Sequence, residues 1–166
     1  MVRRLLGCFT LRGLGMRREL EGDMVFDASV LVEVIFSTVG GRLVRRMLVD
    51  EVLFGYVTEL AVSELRYVVC RMLGRDEAWR RVDKLLASGY FRVEEISPIV
   101  TLASEYKCER AISLPDCFSI ALGEYLSMPV LFARREKELV REIERKPFDV
   151  DILFLEDYVR KHGESA

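Results

Sequence analysis

The chain has 166 residues, 51% of them hydrophobic and 31% charged, with a formal net charge of -2. These values describe one globular domain around a single core and exclude a disordered chain. They also lack the overall basic excess common in nucleic-acid binders, so any nucleic-acid contact must rest on a local patch.

Residues 1–23 carry Arg3, Arg4, Arg12, Arg17 and Arg18, and the apolar piece Leu5 to Phe9 is short for a signal peptide. They read as an N-terminal extension outside the core, with the domain spanning 24–166. Met24-Val25-Phe26 is a short apolar run ending in Asp27, as expected of a buried parallel strand. Ser29 to Phe36 reads as a helix, Gly40-Gly41 as punctuation, and Arg42 to Leu48 as a basic helix. Thr58 caps a long helical pattern to about Met72, ended by Gly74. Asp76 to Ala87 is a further helix with Trp79, Val82 and Leu86 on one side, and Tyr90 to Ile96 alternates like a strand. Pro98 opens a helix to about Ile112, and another runs from Ser113 or Leu114 to Leu126. Pro129 to Phe132 is a short strand, Arg134 to Arg145 a charged helix, and Ile152 to Leu155 a last strand. Lys161-His162-Gly163 reads as a helix end. Strands interleaved with helices predict an α/β fold, a three-layer α/β/α arrangement with a mostly parallel central sheet.

Cys8, Cys70, Cys108 and Cys117 form no CxxC pair, so buried free thiols in a reducing cytoplasm are expected rather than a zinc site. The single histidine, His162, leaves acid–base chemistry to carboxylates. No apolar stretch reaches the roughly 18 residues of a membrane span, because Asp27 and Glu33 interrupt the run from Met24 to Phe36.

Four acids stand out. Asp27 closes a strand in an apolar neighbourhood, where an unpaired carboxylate is costly, although Asp is also a favoured helix N-cap. Glu64 falls within the stripe of Leu60, Ala61, Leu65, Val68 and Met72; the plain alternative is a stripe-edge glutamate paired with Arg71. Asp116, in Ser113-Leu114-Pro115-Asp116, suits both a first-turn capping box and a cleft, and Ser119 and Gly123 one turn on are small enough to leave room for a ligand. Glu136 stands in the mixed run Arg134-Arg135-Glu136-Lys137-Glu138, ordinarily a solvated face. In a parallel α/β sheet, ligands sit at the carboxyl ends of the strands. Acids gathered there repel one another unless a cation neutralises them, and all-oxygen ligation suits Mg²⁺ or Mn²⁺. Such an ion activates water and stabilises a phosphoryl oxyanion, which points to phosphodiester hydrolysis.

From Met24 to about Leu155 the sequence resembles the PIN-domain proteins, especially the archaeal and bacterial toxin-like (VapC-type) ribonucleases. The resemblance is carried, in order, by Val25-Phe26-Asp27-Ala28-Ser29, Thr58-Glu59-Leu60-Ala61-Val62-Ser63-Glu64-Leu65, Leu114-Pro115-Asp116-Cys117-Phe118-Ser119-Ile120-Ala121-Leu122, and Met128-Pro129-Val130-Leu131-Phe132-Ala133. It implies a flavodoxin-like parallel sheet, Mg²⁺ or Mn²⁺ at the acids, and endonucleolytic cleavage of RNA. Asp27, Glu64 and Asp116 match the first three family acids, with Asp27 and Asp116 as metal ligands. A fourth is usually Asp shortly after the fourth segment. Arg134 or Arg135 holds that spot here and Glu136 is the nearest acid, a departure that leaves a single metal on Asp27 and Asp116 as the simpler site. Ser29 is placed to support the metal shell. The resemblance also implies an antitoxin protein partner and a homodimer. Arg42, Arg45 and Arg46, and Arg134, Arg135 and Lys137, are either phosphate contacts or solubilising surface charges.

Haloacid-dehalogenase-type phosphatases need a second acid two residues after the first, where this chain has Ser29. A phosphoryl-accepting receiver needs an acidic pair at the first strand, and glycine-rich nucleotide signatures are absent. The alternative from another class is a PIN-fold module that binds RNA or a protein without cleaving.

Overall fold

A computed structural model describes residues 19–163. Its centre is a five-stranded parallel sheet in the order β3-β2-β1-β4-β5, formed by β1 (Gly22–Phe26), β2 (Leu53–Thr58), β3 (Phe91–Glu94), β4 (Val130–Phe132) and β5 (Ile152–Phe154). The helices are α1 (Ala28–Ile35), α2 (Val39–Val49), α3 (Glu59–Leu73), α4 (Arg75–Leu86), α5 (Val100–Glu109), α6 (Leu114–Leu126), α7 (Lys137–Arg145) and α8 (Leu155–Gly163). Among the described residues, no helix is long and apolar enough to cross a membrane.

Alternation along the central strand divides the core. Met24 and Phe26 face one layer with Leu31, Val44, Leu65, Val82 and Leu155, while Val25 faces the other with Ile120, Leu122, Leu139 and Phe148. Both faces of the sheet are therefore covered, which is why β1 and β4 read as unbroken apolar runs. The strand order reverses at β1, which lies between β2 and β4. A flavodoxin sheet, ordered 2-1-3-4-5, reverses between its strands 1 and 3; here the reversal opens the crevice between the carboxyl ends of β1 and β4.

Several expectations change at the level of elements. β2 carries no reading in the sequence, because Gly55 breaks its apolar pattern. That glycine makes room for Phe91: a Cβ there would lie 2.5 Å from its ring, which stacks edge-on against Phe26 at 5.6 Å. Gly40-Gly41 does not punctuate but forms the first turn of α2, capped by Thr38, whose hydroxyl accepts the Gly41 N–H at 3.0 Å. α7 begins at Lys137 rather than Arg134. The helix expected from Pro98 to Ile112 is a 3-10 turn, Ser97–Ile99, followed by α5 ending at Glu109. Trp79 is 39% exposed rather than packed with Val82, its ring held between Arg66 and Arg75. Of the cysteines, Cys117 is buried, Cys70 half-buried and Cys108 exposed, all free, while Cys8 lies outside the described residues. So do residues 1–18 of the expected extension; Leu20 packs in the core and β1 opens at Gly22.

The two glycines of α2 make a test of this packing. A Cβ on Gly41 would stand 1.8 Å from the Glu33 carbonyl oxygen, whereas one on Gly40 meets side chains, Leu155 Cδ2 at 2.9 Å and Cγ at 3.3 Å and Val159 Cγ2 at 3.5 Å. Gly41→Ala is expected to destabilise by about 3 kcal/mol or more, because backbone must move. Gly40→Ala is expected to cost less than about 1 kcal/mol, since the gain in helix propensity offsets a small side-chain shift. Urea denaturation of both variants checks the contrast.

Candidate metal and catalytic site

The site grows from the end of β1. The Asp27 backbone N–H continues the ladder by donating to the Leu131 carbonyl at 3.0 Å, which fixes the residue at the β1–β4 crevice. Its side chain is 5% exposed and is the N-cap of α1. Oδ2 accepts the Ser29 N–H at 2.9 Å and the Ser29 hydroxyl at 2.6 Å, and Oδ1 accepts the hydroxyl of buried Ser119 at 3.1 Å. Cap and site residue are thus one and the same. Hydrogen bonds to a charged acceptor contribute roughly 1.5–3 kcal/mol each, enough to hold an otherwise costly buried carboxylate. Ser29 completes the link by accepting the Ala133 N–H at 3.1 Å just beyond β4.

Asp116 reaches the same place from α6. Ser113 caps that helix, its hydroxyl accepting the Asp116 N–H at 3.1 Å, as the capping-box pattern predicts. Burial pushes the Asp116 carboxyl up to about 7, reinforced by the negative charge of Asp27 and then of Glu136, against an opposing pull from hydrogen bonding to Ser113. Glu64 stands on α3 at the border of its buried stripe, where Ala61, Leu65 and Val69 are the fully packed positions. Burial raises its affinity for a proton, and the charges of Asp27 and Glu136 add to this, while a hydrogen bond from Tyr67 opposes it. The Tyr67 hydroxyl donates to Oε1 at 3.4 Å. Arg71, the partner that the plain alternative offered for Glu64, lies over the Tyr67 ring at 5.1 Å. Glu136 is exposed and is the N-cap residue of α7. Its charge makes a minor contribution, after burial and Asp27, to the raised proton affinity of Asp116 and Glu64.

The surrounding residues sort differently from expectation. Ser119 is occupied as a donor to Asp27, and Gly123 leaves no space for a ligand: a Cβ there would lie 2.3 Å from Val130 Cγ2, so the glycine lets α6 lie close on β4. Arg134 pairs with Glu33 at 3.2 Å; Arg135 pairs with Asp157 at 2.6 Å and covers Phe154. Arg42 donates to the Ser37 carbonyl, and Arg45 lines a cavity of about 480 Å³ beside the amino end of β3, with Arg80, Arg81, Lys84 and Phe91. That cavity is away from the acids and has no part in their chemistry. Sequence reasoning passed over Ser119 as a donor and Tyr67 altogether, although each stands three residues after a site acid, one helical turn along the same face.

Among the described residues, none of the ion pairs includes Asp27, Glu64, Asp116 or Glu136. Asp27, and to a lesser degree Glu136, adds negative charge around Asp116 and Glu64, a setting that suits a divalent ion. In this side-chain arrangement no group of three or more His, Cys, Asp or Glu among the described residues could by itself hold a metal. A site of one or two carboxylates completed by water and substrate phosphate, the usual habit of Mg²⁺, is the arrangement that fits.

The Asp116 shift fixes a stability signature. Its folded value near 7 lies above the ordinary 3.8, so the folded state binds the proton more tightly, and stability falls as pH rises between those values. In metal-free protein Asp116→Asn is therefore expected to raise Tm at about pH 8 and to leave it unchanged near pH 4. Mg²⁺ or Mn²⁺ is expected to raise Tm of the wild type at about pH 8, and of Asp116→Asn far less. Thermal unfolding at both pH values, with and without the ion, checks the sign.

A model of the PIN domain matches residues 24–150. No curated protein matches the chain in sequence. VapBC2 from Rickettsia felis, bound to a DNA fragment from its promoter, shares the fold with a TM-score of 0.61 at 11% identity, covering 80% of this chain and 98% of the other. A toxin-antitoxin complex from Klebsiella pneumoniae aligns at 0.53 and 14%, covering 70% and 89%. PAE2754 from Pyrobaculum aerophilum aligns at 0.54 and 16%, covering 86% and 90%. The family model spans most of the sequence, from the first strand to the approach of the last, and the chain belongs to the PIN-domain family.

Proposed function

We propose that this protein is a metal-dependent endoribonuclease that hydrolyses RNA phosphodiester bonds, acting in the cytoplasm as the toxin of a toxin-antitoxin pair or as an RNA-processing nuclease. The observation that carries this reading is the buried Asp27 carboxylate, held by Ser29 and Ser119 at the end of β1 where the strand order reverses, with Asp116 and Glu64 near enough for its charge to add to the effect of burial on their proton affinity. Membership of the PIN-domain family supports nuclease chemistry, and the Klebsiella pneumoniae neighbour, itself a toxin-antitoxin complex, supports an antitoxin partner. A homodimer belongs to the same reading.

In this mechanism Asp27 and Asp116 would hold Mg²⁺ or Mn²⁺, which when bound supplies a water of lowered pKa and charge stabilisation for the phosphoryl oxygens. Ser29 and Ser119 fix the Asp27 carboxylate, so little reorganisation remains when the substrate arrives. Glu64, with its affinity for a proton raised by burial, accepts the proton of the attacking water. Glu136, exposed at the start of α7, orients water on the open side of the crevice.

A binding module that keeps the fold without the chemistry is the second reading, favoured by the absence, among the described residues, of a ready three-ligand set. The two separate cleanly. Cleavage of a mixed panel of structured and single-stranded RNAs is expected with Mn²⁺ or Mg²⁺, to cease in EDTA, and to fall at least about a hundredfold in Asp27→Asn and Asp116→Asn, as for loss of a principal electrostatic group. A folded wild type that neither cleaves nor binds Mn²⁺ by calorimetry, yet binds RNA or a partner as well as Asp27→Asn does, would establish the binding module.

A further inference from the structure

α3 presents a graded surface leading away from the acids. Glu64, Tyr67 and Arg71 stand at i, i+3 and i+7, on one face with about 5.4 Å of rise per turn. Tyr67 is 46% exposed although it adjoins the site. Two contacts orient it: the hydroxyl donates to Glu64 Oε1 at 3.4 Å, and the Arg71 guanidinium lies over the ring, 5.1 Å from its centroid. Arg71 itself enters none of the ion pairs among the described residues. A held, half-exposed aromatic ring backed by a guanidinium is the chemistry that receives an unpaired base. Bases stack on aromatic faces and arginine planes, and the cation offsets some of the repulsion that the acids exert on phosphate. In duplex RNA the bases are already stacked on one another, so such a ring selects single-stranded substrate.

We infer that Tyr67, backed by Arg71, is a stacking platform for an unpaired base of RNA next to the carboxylates. The choice of RNA rests on the nuclease reading above; the platform makes Tyr67 a residue that positions the strand and selects for unpaired bases.

The test reads binding apart from cleavage. Full-length protein in EDTA is titrated, by fluorescence anisotropy, into a labelled oligoadenylate and into an abasic ribose-phosphate oligomer of the same length. The two probes carry equal charge, so the Coulomb terms cancel in the comparison and the base contribution remains. Wild type is expected to prefer oligoadenylate by about thirtyfold, the middle of the range for one stacked base. Tyr67→Ala is expected to erase that preference, and Tyr67→Phe, which keeps the ring and loses the hydroxyl, to retain it. Equal preference in wild type and Tyr67→Ala, or none in wild type, would overturn the inference. So would a change of sedimentation behaviour in Tyr67→Ala with RNA preference intact, which would assign the ring to a protein interface. Cleavage assays on the same proteins keep the two ideas distinct. A stacking preference without metal-dependent cleavage defeats the nuclease reading alone, and cleavage with no effect of Tyr67→Ala defeats the platform alone.

Discussion

The arrangement depends on one buried carboxylate. Asp27 ends the central strand, caps the first helix and accepts hydrogen bonds from Ser29 and Ser119, so that β1, α1, α6 and the turn after β4 meet at a single charged group. A carboxylate at 5% exposure is tolerable only while those donors are in place. Any movement of α6 away from β1 would leave one oxygen unpaired and undo the site and the packing together.

That anchor explains how a chain with near-neutral overall charge gathers negative potential in one crevice. The strand order reverses between β1 and β4, and the helices α1 and α6, one on each side of the sheet, begin near their carboxyl ends. First-turn acids interact favourably with the helix dipole, which offsets part of the cost of bringing Asp27 and Asp116 near each other. Burial is the larger cause of the raised proton affinity of Asp116 and Glu64, and the charge of Asp27 adds to it. The metal-free fold therefore carries repulsion that a bound cation would convert into affinity, the usual exchange between stability and function at a charged site.

Basic residues are distributed so as not to cancel this potential. Arg134 and Arg135 are engaged by Glu33 and Asp157, and Arg110 is buried beneath α7, where its guanidinium donates to the Glu142 and Lys146 carbonyls and covers the Phe148 ring at 4.1 Å. Arg110 ties the end of α5 to carbonyls at the end of α7, and Arg135 ties the residues before α7 to α8. The cationic cavity lined by Arg45, Arg80, Arg81 and Lys84 lies beside the amino end of β3, away from the acids, so the two signs of charge occupy different regions of the fold.

Much of this was legible in the sequence. Apolar runs closed by Asp27 and by Ala133, the Ser113–Asp116 cap, and the order of the four segments are local signals, since strand burial and helix capping involve residues within a few positions of one another. They suffice for the three-layer parallel fold and for Asp27, Glu64 and Asp116 as acids of interest. What local pattern does not contain is distance between elements. β2 escapes notice because Gly55 answers to the Phe91 ring, and Gly41 is fixed by the Glu33 carbonyl of the preceding helix. Whether Ser119 is a space or a donor was decided only by tertiary packing. It depends on how closely α6 approaches the end of β1, a constraint set by side-chain volume and charge in three dimensions rather than by neighbours along the chain.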